Sequence, residues 1–278
     1  MKEVLITGAS SYVGARLYHD LREKFDTVGT YHNRQLSRDF RRLDTTKQAD
    51  IQRLVEEIGP TTIVHAAANA SAKWCEEHPE EARDLNERAT KSIVDAANLV
   101  GAGVIFISSF AALDTSNVYG RTKAASEDTL RQKANRYVIL RPSLVIGFSP
   151  NTTNDRPFNR ILKNLDEGTP AVYDTSWQFQ PTYLGHLSEV ITLVIGRGMN
   201  AVTVPVAVAA LKSRFDIAQD ILSEFGIPVT PENKQDRTPV LKDDLSKLGE
   251  LGLPIHEYDQ VIKKIIEEIR LRDTFKLR

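Results

Sequence analysis

The stretch Val4-Leu5-Ile6-Thr7-Gly8-Ala9-Ser10-Ser11-Tyr12-Val13-Gly14 decides the fold. Its first four residues form an apolar run too short for a helix, which reads as a strand. From residue 13 to 24 apolar residues recur at 3.6 spacing, as on an amphipathic helix. Gly8 permits a tight turn between the two, and Gly14 lets the helix pack closely on the strand. The helix amides and dipole then face a pyrophosphate. Ser11 stands where such loops often carry a middle glycine, so an ordinary strand-to-helix turn is the competing reading.

Working outward, short apolar runs at 27–31, 61–66, 104–107 and 137–140 alternate with helical patterns at 49–58, 79–99 and 119–133. This rhythm predicts an α/β fold of Rossmann type, a doubly wound parallel sheet with right-handed crossovers. Ligands of such sheets sit beyond the carboxyl ends of the strands. Past Pro142 the rhythm breaks. Residues 147–155 read as a loop and 157–166 as a helix. A strand pair is expected near 178–183 and 202–208, with helices near 215–225 and 257–271. In the last helix Val261, Ile262, Ile265, Ile266 and Ile269 share one face, which suits docking on the core or on a partner helix. The expected division is a dinucleotide-binding domain over 1–145, to which a strand from 178–208 returns. A smaller, irregular C-terminal substrate lobe occupies mainly 146–278.

Composition narrows the function classes. Lys plus Arg (36) nearly balances Asp plus Glu (37) in 278 residues, so no bulk basic field exists for nucleic acid or acidic lipid. Cys75 is the only cysteine, which excludes an intrachain disulfide and cysteine-only metal clusters. The six histidines show no HxxxH pair, and no metal is expected. The start of the chain lacks a signal-peptide apolar stretch, and no apolar run reaches the roughly 18 residues of a membrane span. A cytoplasmic protein without membrane partners is expected.

The second strand ends in Tyr31-His32-Asn33-Arg34, without the acidic residue that binds ribose hydroxyls at NAD-selective sites. Arg34 is either a solvated strand-end arginine or a charge-assisted ligand of a 2′-phosphate, which points to NADP. Asp44 suits the adenine amino group or a helix cap. The strand at 104–107 runs into Ser108-Ser109, and Tyr119 and Lys123 lie four apart on the following helix. As a surface pair they would mean nothing. Beside a cofactor loop, the ammonium is expected to lower the phenol pKa, letting Tyr119 exchange a proton while Ser109 bonds the same reacting oxygen.

These motifs resemble the extended short-chain dehydrogenase/reductases, and within them the dTDP-4-dehydrorhamnose reductase branch. TGxxGxxG stands at Thr7 to Gly14 with Ser11 for a glycine, and Asn-Ala-Ala-Ala as His65-Ala66-Ala67-Ala68. C-E-x-x-P-x-x-A runs from Cys75 to Ala82, followed by the helix asparagine at Asn86. Ser-Thr-Asp becomes Ser108-Ser109-Phe110, and N-x-Y-G-x-S/T-K is intact from Asn117 to Lys123. Arg141-Pro142-Ser143, Pro181-Thr182-Tyr183 and Lys212 to Ala218 match the later segments.

The resemblance implies Tyr119 as catalytic acid, Lys123 as its partner and a ribose ligand, and Ser109 as substrate-oxygen donor. Ala66, Ala67 and Ala68 would line the cofactor, NADP or its reduced form NADPH. Gly8, Ser10, Ser11, Tyr12, Val13, Tyr31, Asn33, Arg34, Asp44, Thr45 and Arg141 complete the expected cofactor set, and Arg156 and Asn159 are candidates for substrate phosphate. The implied activity is reduction of a small-molecule substrate, a nucleotide-linked 4-keto-6-deoxy sugar. A reductase of another carbonyl compound, or a non-catalytic NADP-binding subunit like the β subunit of methionine adenosyltransferase, is the alternative. Relatives often pair through the helices at 79–99 and 119–133, so a homodimer is an expectation of the resemblance alone. A dehydratase would need acidic residues where Phe110 and Ala111 stand. Two departures concern the sugar. Only nine residues separate Ser109 from Tyr119, and His186 replaces a family aspartate.

Overall fold

The computed structural model describes residues 3–277; Met1, Lys2 and Arg278, the ends of the two expected domains, lie outside the described residues. The first half alternates as β1 (Glu3–Thr7), α1 (Tyr12–Leu21), β2 (Asp26–Tyr31), a two-residue β3 (Arg41–Arg42), α2 (Gln48–Ile58) and β4 (Thr62–His65). The helix expected over 79–99 is interrupted. After α3 (Ala72–Glu77) come α4 (Pro79–Arg83), a π turn over Asp84–Arg88, and α5 (Ala89–Val100). The π turn widens the helix at Asn86, whose carbonyl accepts from the hydroxyls of Thr90 and Ser126, both at 2.7 Å. Then follow β5 (Gly103–Ile107), a 3-10 turn (Phe110–Leu113), α6 (Val118–Lys133) and β6 (Tyr137–Pro142).

The rest of the chain gives β7 (Val145–Ile146), α7 (Pro157–Glu167), β8 (Ala171–Asp174), β9 (Gln178–Phe179), β10 (Thr182–Tyr183) and α8 (Leu184–Arg197). It ends with β11 (Val202–Val206), β12 (Lys212–Ser213), α9 (Arg214–Leu222), β13 (Val229–Glu232), α10 (Ser246–Glu250) and α11 (Tyr258–Arg270). The central sheet has seven strands in the order β11-β6-β5-β4-β1-β2-β3, all parallel. The strand order therefore reverses between β1 and β4, which opens a crevice at their carboxyl ends. One face is covered by α1 and α8, through Leu17, Leu21, Leu187 and Val190. The other is covered by α2 and α5, through Ile51, Val55, Ile93 and Val94.

The expected pair of strands at 178–183 and 202–208 does not form. β11 joins β6 as the seventh strand of the main sheet, while β9 pairs with β12 and β10 with β7. Val204 and Val206 are fully buried, so the apolar run finds more cover on the large sheet than a two-residue partner would give. Pro205 is tolerated because β11 is an edge strand. The chain thus returns to the first domain through α8 and β11 before closing the lobe. There α11 docks as its apolar face requires, with Val261, Ile265 and Ile269 against Phe158, Tyr183 and Ile221.

Lobe and sheet are joined by a buried ion pair. Arg16 of α1 donates through Nη2 to Glu268 Oε1 of α11 at 2.5 Å and through Nη1 to the Phe148 carbonyl at 2.8 Å. Glu268 Oε2 accepts the Phe148 amide at 3.1 Å, and the Tyr183 hydroxyl donates to Oε1. Replacing Glu268 with Ala leaves the buried guanidinium with Asp20, 2.7 Å from its Nε, as its one carboxylate partner, so unfolding stability should fall by about 1.5–3 kcal/mol, the worth of a charged hydrogen bond. Urea unfolding of wild type and variant measures this; a loss below about 1 kcal/mol would show that the pair holds nothing together.

Candidate functional site

At the crevice between β1 and β4, the loop Gly8–Ser11 turns the chain into α1. Gly8 has φ +70°, and a Cβ there would lie 2.8 Å from the Ala67 Cα. A Cβ on Gly14 would lie 2.2 Å from the Gly8 carbonyl oxygen, so strand and helix approach as closely as backbone allows. Ser11 departs from glycine without penalty. Its φ is −76°, and its Oγ caps α1 by accepting the Gly14 amide at 3.0 Å. These features fit a bound dinucleotide pyrophosphate, which needs close backbone approach and a helix N-terminus.

Ala66, Ala67 and Ala68 follow β4 beside the loop. The Thr7 carbonyl accepts the Ala66 amide at 3.3 Å, and the Thr7 Oγ1 the Ala67 amide at 3.4 Å. Thr7 is held in turn by His65, whose ring nitrogens lie 2.7 Å from Thr7 Oγ1 and 3.1 Å from Thr90 Oγ1. Burial drives the His65 pKa down to about 3, with the Lys123 charge adding to it, so the ring stays neutral.

The remaining cofactor candidates divide. The Ser10 carbonyl accepts the Asn151 side-chain amide at 2.7 Å, and its Oγ accepts the Leu36 amide at 3.4 Å. Val13 packs partly buried at the seam of the two cores. Tyr31 is half-buried and Asn33 and Arg34 exposed beyond β2, where the Arg34 guanidinium donates to the Thr153 hydroxyl. Asp44 folds its carboxylate onto its own turn, accepting the Thr46 hydroxyl at 2.6 Å and amide at 3.0 Å, while Thr45 is buried. The Thr46 hydroxyl holds the Asp44 carboxyl below its ordinary pKa.

Two candidates take other work. The Tyr12 side chain is turned into the lobe core, its hydroxyl donating to the Gly147 carbonyl, so only its backbone remains at the loop. Arg141 commits Nε and Nη2 to Glu127 at 2.8 and 2.6 Å and Nη1 to Asp243 at 3.1 Å. A buried carboxylate competes for the guanidinium ahead of any ligand.

Tyr119 sits in the first turn of α6, which is capped twice. The Asn117 side chain accepts the Gly120 amide at 2.9 Å, and Glu76 accepts the Val118 amide at 2.5 Å. The short segment after Ser109 folds back on this turn, and a Cβ on Gly120 would lie 1.9 Å from the Asp114 carbonyl oxygen. Ser109 Oγ accepts the Ala111 amide at 3.1 Å and stands near enough to the Tyr119 phenol to lower its pKa. Burial pushes that phenol up to about 12, against the Ser109 hydroxyl and the charge of Arg156, which both pull it down. Lys123 is buried, its Nζ donating to the Ile107 carbonyl at 2.8 Å and lying 4.5 Å from the Phe106 ring centre. Burial lowers its pKa to about 8, with Glu127 opposing. In this geometry Ser109 and Arg156 offset the desolvation of Tyr119, while Lys123 is tied to the strand.

Asn159 is buried, donating to the carbonyls of Asn151 at 3.1 Å and Asn154 at 2.9 Å, so it shapes the loop that carries Arg156. His186 lies away from the site, buried in α8 with Nε2 2.8 Å from the Pro254 carbonyl and its ring 4.6 Å from that of His256. The sequence reading missed a cavity of about 380 Å³ in the lobe, between α7, β8 and α9. Arg160, Tyr173, Asp174, Phe179, Arg214 and Lys234 line it. No short motif joins these residues; they come together from α7, β8, β9, α9 and the segment after β13 through the pairings of β8 with β13 and of β9 with β12. Among the described residues no three metal-ligating side chains converge, and no helix is long and apolar enough to cross a membrane.

A seven-stranded Rossmann-type sheet, a glycine loop at its switch point and a Ser109, Tyr119 and Lys123 set define the class: an extended short-chain dehydrogenase/reductase-like protein. The chain belongs to the RmlD substrate binding domain family, whose profile matches residues 1–249. The methionine adenosyltransferase 2 subunit beta of Xenopus laevis is 28% identical over 160 residues, covering 52% of this chain and 48% of that protein. The chain thus spans about half the length of that relative. The dTDP-4-dehydrorhamnose reductase of Mycolicibacterium smegmatis is 26% identical over 242 residues, 81% of this chain and 70% of that one. Among solved structures, the Bacillus anthracis dTDP-4-dehydrorhamnose reductase in complex with NADP superposes with a TM-score of 0.81 at 22% identity, covering 96% of this chain and 100% of that one. That likeness shows the fold.

The buried histidines predict an acid limit to stability. His186, like His65, is held neutral chiefly by burial, its pKa lowered to about 4. Unfolded histidines take up protons near pH 6.5, so stability present above that pH is lost as pH falls, by about 1.4 kcal/mol per unit for each ring. Urea midpoints at pH 7 and pH 5 should differ accordingly, and His186→Leu should shrink the difference; equal pH dependence in both proteins would count against it.

Proposed function

We propose that the protein is an NADPH-dependent reductase of a nucleotide-linked 4-keto-6-deoxy sugar, acting on this small-molecule substrate in the cytoplasm. The observation that carries this reading is that Ser109, at the end of β5, and Tyr119 and Lys123, in the first two turns of α6, accompany a glycine loop built for close backbone approach at the sheet's switch point. NADPH, when bound, supplies the hydride to the carbonyl carbon. The Gly8–Gly14 backbone would hold its pyrophosphate, Ala66 to Ala68 its flank and Arg34 its 2′-phosphate. A phenol whose pKa lies near 12 is protonated at neutral pH and so is set to donate its proton to the carbonyl oxygen, completing the alcohol. Ser109 hydrogen-bonds that oxygen, and Arg156 offsets the charge left on Tyr119. The lobe cavity sets aromatic Tyr173 and Phe179 beside Arg160, Arg214 and Lys234, each of which already has a carboxylate partner, so the aromatic faces are the part of the lining that suits a nucleotide base.

A second reading, a regulatory subunit that binds NADP and a partner enzyme, is favoured by the methionine adenosyltransferase relatives. The deciding assay offers dTDP-, UDP- and GDP-linked 4-keto-6-deoxyhexoses with NADPH and follows the nicotinamide absorbance. Reduction of one supports the enzyme; none, with a methionine adenosyltransferase retained from cell extract, supports the regulatory subunit.

Tyr119→Phe keeps the ring but loses the proton, so turnover should drop by about 10² to 10⁴ while NADPH still binds. Half-normal activity in that variant would refute the role. Arg34→Ala should weaken NADPH binding by roughly 10- to 150-fold, the worth of a charged hydrogen bond, and leave NADH nearly unchanged. Equal affinity of the wild type for the two cofactors, read by fluorescence titration, would refute it.

A further inference from the structure

Glu127 is a carboxylate buried to 1% exposure, one helical turn beyond Lys123 on α6. Four charged or hydroxyl donors meet it: Ser108 Oγ at 2.6 Å, Arg141 Nε at 2.8 Å and Nη2 at 2.6 Å, and Arg131 Nη2 at 2.7 Å. Two of these residues stand at strand ends, Ser108 just after β5 and before Ser109 and Arg141 next to the last residue of β6, while Arg131 lies one turn further along α6 itself. A carboxylate is seldom buried without a task for its charge. Lys123 donates to the Ile107 carbonyl and lies over the Phe106 ring; its charge acts on the neutral ring of His65, and the Cys75 thiol acts on it. Tyr119 is neutral, and Asp243 is engaged by Arg141.

We propose that Glu127 is a positioning residue of the site, which keeps Lys123 in its ammonium form and pins the Ser108–Ser109 strand end to α6. The lysine part stands on the burial of both groups one turn apart. Only its effect on turnover rests on the reductase reading. Without the carboxylate, Arg141 and Arg131 would leave unpaired positive charge near the lysine, adding to the desolvation that already favours the amine.

The test titrates the Lys123 side chain by carbon NMR in the full-length protein, its signal identified by its loss in Lys123→Arg. Glu127→Gln should lower the titration midpoint by roughly one pH unit. Arg131→Gln, which removes a competing charge from a half-exposed position, should raise it. An unmoved midpoint in Glu127→Gln overturns the proposal; if that variant does not fold, an unmoved or lowered midpoint in Arg131→Gln does so. With a reducible keto-sugar nucleotide, and with the Lys123 ammonium acting beside Tyr119 as the family resemblance implies, the alkaline limb of kcat should move down in Glu127→Gln, whereas an equal loss at every pH means a merely structural role and overturns it. Absence of turnover in the wild type defeats the reductase reading, and the titration still decides Glu127.

Discussion

A guanidinium and a carboxylate from opposite ends of the chain, Arg16 and Glu268, meet out of water, and the geometry of the site depends on their meeting. Neither ion gains much by burial alone, because desolvation consumes most of the attraction. What the pair contributes is direction. Each group also bonds the backbone of Phe148, so α1, α11 and the start of the 147–155 loop share one origin. Since α1 begins at the glycine loop, the lobe is referenced to the very helix whose N-terminus would face a pyrophosphate.

The glycine loop shows why a motif can lose one of its glycines and keep its geometry. At Gly8 and Gly14 a Cβ would collide with backbone, which cannot yield. At position 11 the backbone is extended and the side chain points where a cap is wanted, so serine satisfies an amide that glycine would leave to water. The position that looked like a defect in the sequence is a local gain in the fold.

How much could be read from the sequence follows from how local each feature is. The first half was legible because each strand and helix carries its own period, and the Tyr119–Lys123 spacing is a helical turn. The second half was not. Its strands are often two residues long, and α8 buries residues on most sides, from Leu184 through Ile195, so it shows no polar face to mark it. The lobe cavity draws on residues from 144 to 234, which only tertiary pairing assembles. The side-chain partners of Tyr12 and Arg141 could not be read for a shared reason: motif position gives the backbone address of a side chain, while nearby buried acceptors, Gly147 and Glu127, decide where its polar end goes.

The electrostatics of the phenol depend on the same linkage. Arg156 reaches Tyr119 from a loop that is not anchored by regular structure but by side chains: Ser149 donates to the Tyr12 carbonyl at 2.6 Å, Asn151 to that of Ser10, and Asn159 holds the loop from α7. Two of those three anchors end on the glycine loop itself. The same loop is tied to the lobe through Phe148, which bonds both Arg16 and Glu268, and to the end of β2 through Arg34 and Thr153. Lys123 is fixed instead to β5. The two cations thus act on the site from different supports, one from the central sheet and the other from a loop whose side-chain anchors end on the start of α1 and on the Arg16–Glu268 pair.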